Sequence, residues 1–300
     1  MSEIIKPSSD FTEIDSVSAF LQAITDWRAK HSIAERGFQS RVWYRGHSKR
    51  TYRLAPGVYR SEFTSVAQEC CNGVNDEEKR LTLERSVLNE FRTTGATFFD
   101  PDHIISLYFI AQHHGIPTRL LDWTSNPLAA LFFTVEKEDR EDGDVFVMEP
   151  TKLIPTPTRK PDKTKPRLVW QYIHTMRDPF VRDRIGITFW HNPKNQWEPE
   201  SLIIPLRPDN TAGRIGQQSS CFTLHMHKSE SRTNPTLAQI KVPANHKPKL
   251  RTELHALNIN NFTIFNDLDR LSAEIKRRWG FNTHASCHTN LSEQKNTDDV

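Results

Sequence analysis

Three stretches of this 300-residue chain carry residues whose types and spacing could do chemistry. The first is Trp43-Tyr44-Arg45-Gly46-His47. An arginine's planar fork suits a phosphate or carboxylate and keeps its charge at any ordinary pH, and the adjacent glycine lets a ligand approach the backbone. A pair between Arg45 and a carboxylate such as Asp122 is the other use of the same side chain, and the residues leave both open. The second stretch, residues 112–133, begins Gln-His-His-Gly-Ile-Pro-Thr-Arg-Leu-Leu-Asp-Trp-Thr-Ser-Asn-Pro. Thr124 and Ser125 stand ahead of a helix start, where hydroxyls meet an anion or a ribose. His113 and His114 point about 100° apart on a helix, so they do not share a metal; zinc is disfavoured, and the expected role is capping at a helix end. A buried Arg119–Asp122 pair is expected to fix the turn. The third stretch is Glu198-Pro199-Glu200 ahead of Ser201-Leu-Ile-Ile-Pro205. Two acids spaced two apart on extended chain point the same way. Chemistry through an oxocarbenium-like state uses such a pair, one acid stabilising positive charge and one handling a proton. A solvated strand edge is the alternative.

These residues need elements to position them. A short strand over 42–45 presents Arg45, and a strand over 118–123 hands over to a helix capped by Asn126 with Pro127 at its first position, where a missing N–H costs nothing. That helix is apolar through Leu128, Ala129, Leu131, Phe132 and Phe133, which predicts burial. Apolar spacing predicts further helices over 11–33 (capped by Ser16 or Ser18), 77–98, 103–114 and 266–279. Strands are expected at 143–148, within 197–205 and at 221–226. Residues 62–75 read as polar and loop-like, 228–250 as a polar tail, 151–166 as an exposed loop or linker, and the chain from 284 as disordered. Helices and strands mix without a strict βαβ rhythm. The expected class is therefore α+β, a small mixed or antiparallel sheet flanked by helices.

Composition narrows the function classes. At 36% hydrophobic residues the chain can bury one large core or two modest ones. Forty basic against 37 acidic residues leave a net charge of +3, which gives no vote for a nucleic-acid partner. No apolar run approaches the roughly 18 residues of a membrane span. The opening Met-Ser-Glu-Ile-Ile-Lys-Pro has no signal-peptide core, so a cytoplasmic protein without a membrane partner is expected. Cys70 and Cys71 are adjacent, while Cys221 and Cys287 stand alone, which is neither a zinc spacing nor a disulfide framework.

Tyr44-Arg45-Gly46, Leu54 with Pro56 and Arg60, and Ala111 to Thr124 with Asn126-Pro127 together resemble the FRG domain, a family named for its Phe/Tyr-Arg-Gly motif. Arg214-Ile215 with Gln217, Phe222-Thr223 and Phe265 to Asp269 fit the same pattern, although Ser219 stands where glycine is expected. The resemblance implies one domain over 11–280, between an N-terminal tail (1–10) and a disordered C-terminal tail (281–300).

A second resemblance is to ADP-ribosyltransferases of the Arg-Ser-Glu type, whose order of elements matches Arg45-Gly46, then Trp123-Thr124-Ser125, then Glu198-Pro199-Glu200. It implies an ADP-ribosyltransferase-like fold and NAD as substrate. Arg45 would hold NAD phosphate or ribose and Thr124 or Ser125 the nicotinamide ribose. Glu200 would stabilise the oxocarbenium state, and Glu198 would deprotonate the acceptor. Gly46, Arg119 and His114 complete the expected cofactor-binding set. The implied activity is ADP-ribosyl transfer to a macromolecular acceptor (RNA, DNA or protein) or NAD glycohydrolysis, as suits a toxin or antiphage effector held by an inhibitory partner. The alternative is a non-catalytic module that binds a nucleotide, nucleic acid or protein, with Arg45 and Arg119 on phosphates and Trp43 or Trp123 stacked on a base.

Overall fold

The computed structural model describes residues 5–6, 11–31, 42–98, 104–153, 174–175, 203–207, 220–225, 232–233, 237–266 and 268–280. Its strands are β1 (Ile5–Lys6), β2 (Phe11–Glu13), β3 (Trp43–His47), β4 (Leu120–Thr124), β5 (Gly143–Met148), β6 (His174–Thr175), β7 (Ile203–Arg207), β8 (Ser220–His225), β9 (Arg232–Thr233) and β10 (Ala238–Val242). Among the described residues eight of them form one sheet in the order β2-β10-β5-β3-β4-β8-β7-β6, while β1 pairs with β9 apart from it. Pairing is antiparallel through the middle and parallel at the two ends, β2 with β10 and β6 with β7. The chain is thus α+β on a mixed sheet, as its irregular alternation of elements implies.

The helices are α1 (Val17–Lys30), α2 (Ser61–Cys70), α3 (Asp76–Thr94), α4 (Ile104–His113), α5 (Pro127–Val135), α6 (Lys247–Ala256), α7 (Asn261–Phe265) and α8 (Leu268–Arg278). Three expectations need correction. Residues 11–13 do not open a helix but pair with β10; α1 starts at Val17, behind the Ser16 cap that accepts a hydrogen bond from the Ala19 amide. The polar 62–75 stretch holds α2, because Phe63, Thr64 and Ala67 fall on one buried side among polar neighbours. The polar 228–250 stretch holds β10, whose Ala238, Ile240 and Val242 alternate inward, and the start of α6.

Apolar side chains lie on both faces of the sheet. On one, Tyr44, Val145, Val147 and Ile240 meet Phe20, Ile24 and Trp27 of α1 and most of α5. On the other, Trp43, Leu121, Trp123, Phe146, Met148, Ile203 and Cys221 meet Leu54, Ala55, Leu153 and Leu237. By strand alternation Arg45 and His47 share this second face with Trp43.

The helix α5 is apolar around its circumference and is correspondingly buried, with Ala129, Ala130, Leu131, Phe132, Thr134 and Val135 all inside. Asn126 caps it as expected, its side chain accepting from the Leu128 and Ala129 amides. At the other end the Arg251 guanidinium donates to the Val135 carbonyl at 3.0 and 2.6 Å, satisfying an acceptor that the helix leaves open. Nearby, the Lys247 ammonium donates to the carbonyls of Ser48 at 2.7 Å and Glu138 at 2.9 Å. These two cations hold a buried helix and the loop after it to α6.

Candidate functional site

β3 pairs with β5 through five residues and β4 pairs with β8 through five, but β3 and β4 meet only at Tyr44↔Thr124. The middle of the sheet is therefore divided, and Arg45 stands at the division. Its Nη1 donates to the Asp122 backbone carbonyl of β4 at 2.6 Å, and its Nε donates to His47 Nε2 at 2.9 Å. The guanidinium thus fills donor roles across an opening where strand ladder bonds are missing.

Arg45 has no carboxylate at hydrogen-bonding distance among the described residues. The Asp122 carboxylate is 3.8 Å from Nη1, is half exposed, and already accepts from Gln112 Nε2 at 2.8 Å. Gln112 is itself fixed, because Thr118 Oγ1 donates to its Oε1 at 2.5 Å. Both sequence readings of Arg45 are thereby answered in part: Asp122 is its neighbour, chiefly through the backbone. Burial pulls the Arg45 pKa down to about 10, which Asp122 opposes and Arg60 reinforces. The group stays charged at neutral pH.

The histidines near Arg45 stay neutral. His47 lies between Phe146 and Tyr52, with edge-on ring contacts at 5.0 and 6.2 Å. Burial, then Arg45 and Arg60, depress its pKa to about 2. His225 on β8 is fully buried, and burial followed by the Arg45 charge lowers it to about 3. Trp123 Nε1 donates to Thr223 Oγ1, which lies 3.0 Å from His225 Nε2. The threonine hydroxyl, with one proton and two lone pairs, thus links the indole of Trp123 to the buried imidazole of His225.

Arg119 is placed differently. The expected pair with Asp122 is not formed: Arg119 Nε lies 2.8 Å from Glu84 Oε2 on α3, and both side chains are buried. Glu84 Oε1 also accepts from Tyr108 Oη at 2.7 Å and from the Arg119 amide at 3.0 Å. Burial is the largest single influence and would lower the Arg119 pKa, but Glu84 together with Tyr108 and Tyr59 outweighs it and the value rises. Burial, then Glu84, pushes the Tyr108 phenol up as well. Arg119 is an interior ion pair that ties α3 and α4 to β4.

The other candidates divide as follows. Thr124 and Ser125 sit at the β3–β4 junction, and Thr124 Oγ1 accepts from the Asn126 amide at 3.0 Å. The Leu128 and Ala129 amides are taken by the Asn126 side chain, so this helix start does not leave them open to an anion. Gly46 lets α5 pack closely on β3: a Cβ there would lie 2.0 Å from the Ala130 carbonyl oxygen and 2.6 Å from Thr134 Oγ1. His114 is exposed at the end of α4, where its amide donates to the Ile110 carbonyl before Gly115 turns the chain at φ +84°. Glu198 and Glu200 lie outside the described residues, as do Arg214 to Gln218 and the 284–300 tail.

Sequence reasoning missed Gln112, Glu84 and the role of His47. A signal existed for His47, since it is two residues from Arg45 on one strand face. Glu84 gave none, because its partner lies on a different element 35 residues away.

Residues 40–143, about a third of the chain, match the family model of the FRG domain. The matched segment spans β3, α2, α3, α4, β4 and α5 and so contains Arg45, Gln112, Asp122 and Thr124. Comparison with curated proteins and with solved structures found no match.

Proposed function

Since the chain carries an FRG domain, whose arginine stands at the division of the sheet, we propose that it is an NAD-dependent ADP-ribosyltransferase or NAD glycohydrolase. One observation supports this reading: a charged arginine is held across an open junction between two strands by uncharged partners, beside two hydroxyl residues. An anion that reaches Arg45 meets a desolvated cation with donors to spare and no hydrogen-bonded carboxylate to displace. The NAD pyrophosphate is such an anion.

In this reading Thr124 or Ser125 orients the nicotinamide ribose. The bond between C1′ and the nicotinamide nitrogen breaks, and its electron pair leaves with nicotinamide. Glu200 stabilises the positive charge left on the ribose through the 2′-hydroxyl. A nucleophile on a macromolecule, or water, then attacks C1′ and loses its proton to Glu198.

The test is to incubate the purified protein with labelled NAD and cell lysate, and to follow nicotinamide release and label transfer. Glu200→Gln is expected to abolish both with folding intact, a loss on the order of a hundredfold or more for a group stabilising transition-state charge. Unchanged turnover in that variant removes Glu200 from the mechanism. Saturable NAD binding by the wild type with no nicotinamide released replaces catalysis with a binding role.

A further inference from the structure

We propose that His47 is the positioning residue of Arg45, holding the guanidinium by its Nε so that the Nη2 end is presented to a phosphate-bearing ligand. The inference rests on the reading of Arg45 as an anion-binding group.

The geometry carries it. A guanidinium has five N–H donors in a rigid plane, and two anchors on different nitrogens remove its freedom to rotate. His47 Nε2 takes the Nε–H at 2.9 Å and the Asp122 carbonyl takes an Nη1–H at 2.6 Å. Among the described residues Nη2 has no hydrogen-bond partner, and the side chain is 15% exposed. The anchor is itself immobile, because His47 is 4% exposed and lies edge-on to Phe146 and Tyr52.

Two alternatives at position 47 show why histidine suits the task. A carboxylate would hold Nε equally well but would cancel the charge that a phosphate needs. An apolar residue would leave Arg45 with its carbonyl anchor alone, free to swing the short distance to the Asp122 carboxylate, now 3.8 Å away. A neutral imidazole accepting through Nε2 fixes the fork and leaves its charge intact. The Thr118–Gln112–Asp122 chain serves the same end by holding that carboxylate back.

The test measures NAD and ADP binding by calorimetry in the full chain, with thermal melting as a control for folding. His47→Phe keeps the ring packing and removes the acceptor; it is expected to weaken ADP and NAD about tenfold, the loss that follows from freeing one end of a charged hydrogen-bonded group. His47→Gln, whose amide oxygen can accept from Nε, should recover affinity to within about threefold of wild type. In an Arg45→Ala background His47→Phe should cost nothing further, since its effect passes through Arg45. If His47→Phe melts below the assay temperature, His47→Met makes the same comparison.

Wild-type protein that binds neither ligand overturns the nucleotide reading and this inference with it. Three results overturn the positioning role alone: binding weakened by Arg45→Ala but not by His47→Phe, failure of glutamine to rescue, or an equal His47→Phe effect without Arg45.

Discussion

Arg45 and Arg119 lie on neighbouring strands or their approaches in the same matched segment, and the fold treats them in opposite ways. Arg119 is given a buried carboxylate at 2.8 Å, and that carboxylate also receives a tyrosine hydroxyl and a backbone amide. Arg45 is given a neutral imidazole and a backbone carbonyl, while the nearby carboxylate is tied to glutamine. The first arrangement closes an electrostatic account inside the protein; the second leaves a net charge at an opening. Arginine in a specific motif is therefore not by itself a sign of ligand binding. What separates the two is the charge of the partners.

The contrast can be broken at its strongest point first. Glu84→Ala leaves Arg119 buried without a counter-charge and should cost about 3–5 kcal/mol of stability, read by denaturant unfolding. Arg45→Ala removes no buried partner of that kind and should cost much less. Equal losses at the two sites would dissolve the distinction.

A smaller effect is expected from giving Arg45 the environment that Arg119 has. His47→Glu retains an acceptor for Nε but adds a negative charge, and should weaken NAD or ADP binding by about thirtyfold, corresponding to roughly 2 kcal/mol for a charge-assisted contact. Binding as tight as that of wild type would show that the uncharged partner is irrelevant.

The last expectation concerns pH. His47 and His225 have folded pKa values of about 2 and about 3, below the ordinary histidine value near 6.5. For groups depressed on folding, the unfolded chain takes up protons first, so stability is full above pH 6.5 and falls as pH drops towards the folded values. Each histidine contributes a slope of up to about 1.4 kcal/mol per pH unit within that window. Replacing both by glutamine should flatten unfolding free energy between about pH 6 and 4. A slope unchanged in the double variant would assign the acid sensitivity to other groups.

The sequence was most legible where one element carries its own instructions. Asn126 and Pro127 mark the start of α5, and the helix then reads apolar on all sides and is buried over most of its surface. The strand holding Arg45 and the helix-end placement of His113 and His114 were readable for the same reason. Elements with thinner signals were lost. In α2 three buried residues sit among polar ones, and in β10 five residues alternate within a polar region; both form because neighbouring surfaces cover their few apolar side chains.

The candidate site was legible only in part. Arg45, Thr124 and Ser125 stand out by type and local setting, and the structure brings their strands together at Tyr44↔Thr124. Gln112 could be seen in the sequence, but not its task of holding Asp122, because that depends on how the end of α4 lies over β4.

From the sequence alone came the FRG motif, the caps and turns around it, and the α+β class. These depend on local backbone preferences and on the period of apolar residues, which neighbouring positions set by themselves. Only the tertiary structure decided that Arg119 meets Glu84 while Arg45 meets an imidazole and a carbonyl, that Gly46 makes room for α5, and that β3 and β4 part beside Arg45. The physical reason is range. A cap is satisfied within four residues, whereas an ion pair or a missing ladder bond is settled by strands and helices that approach from far along the chain.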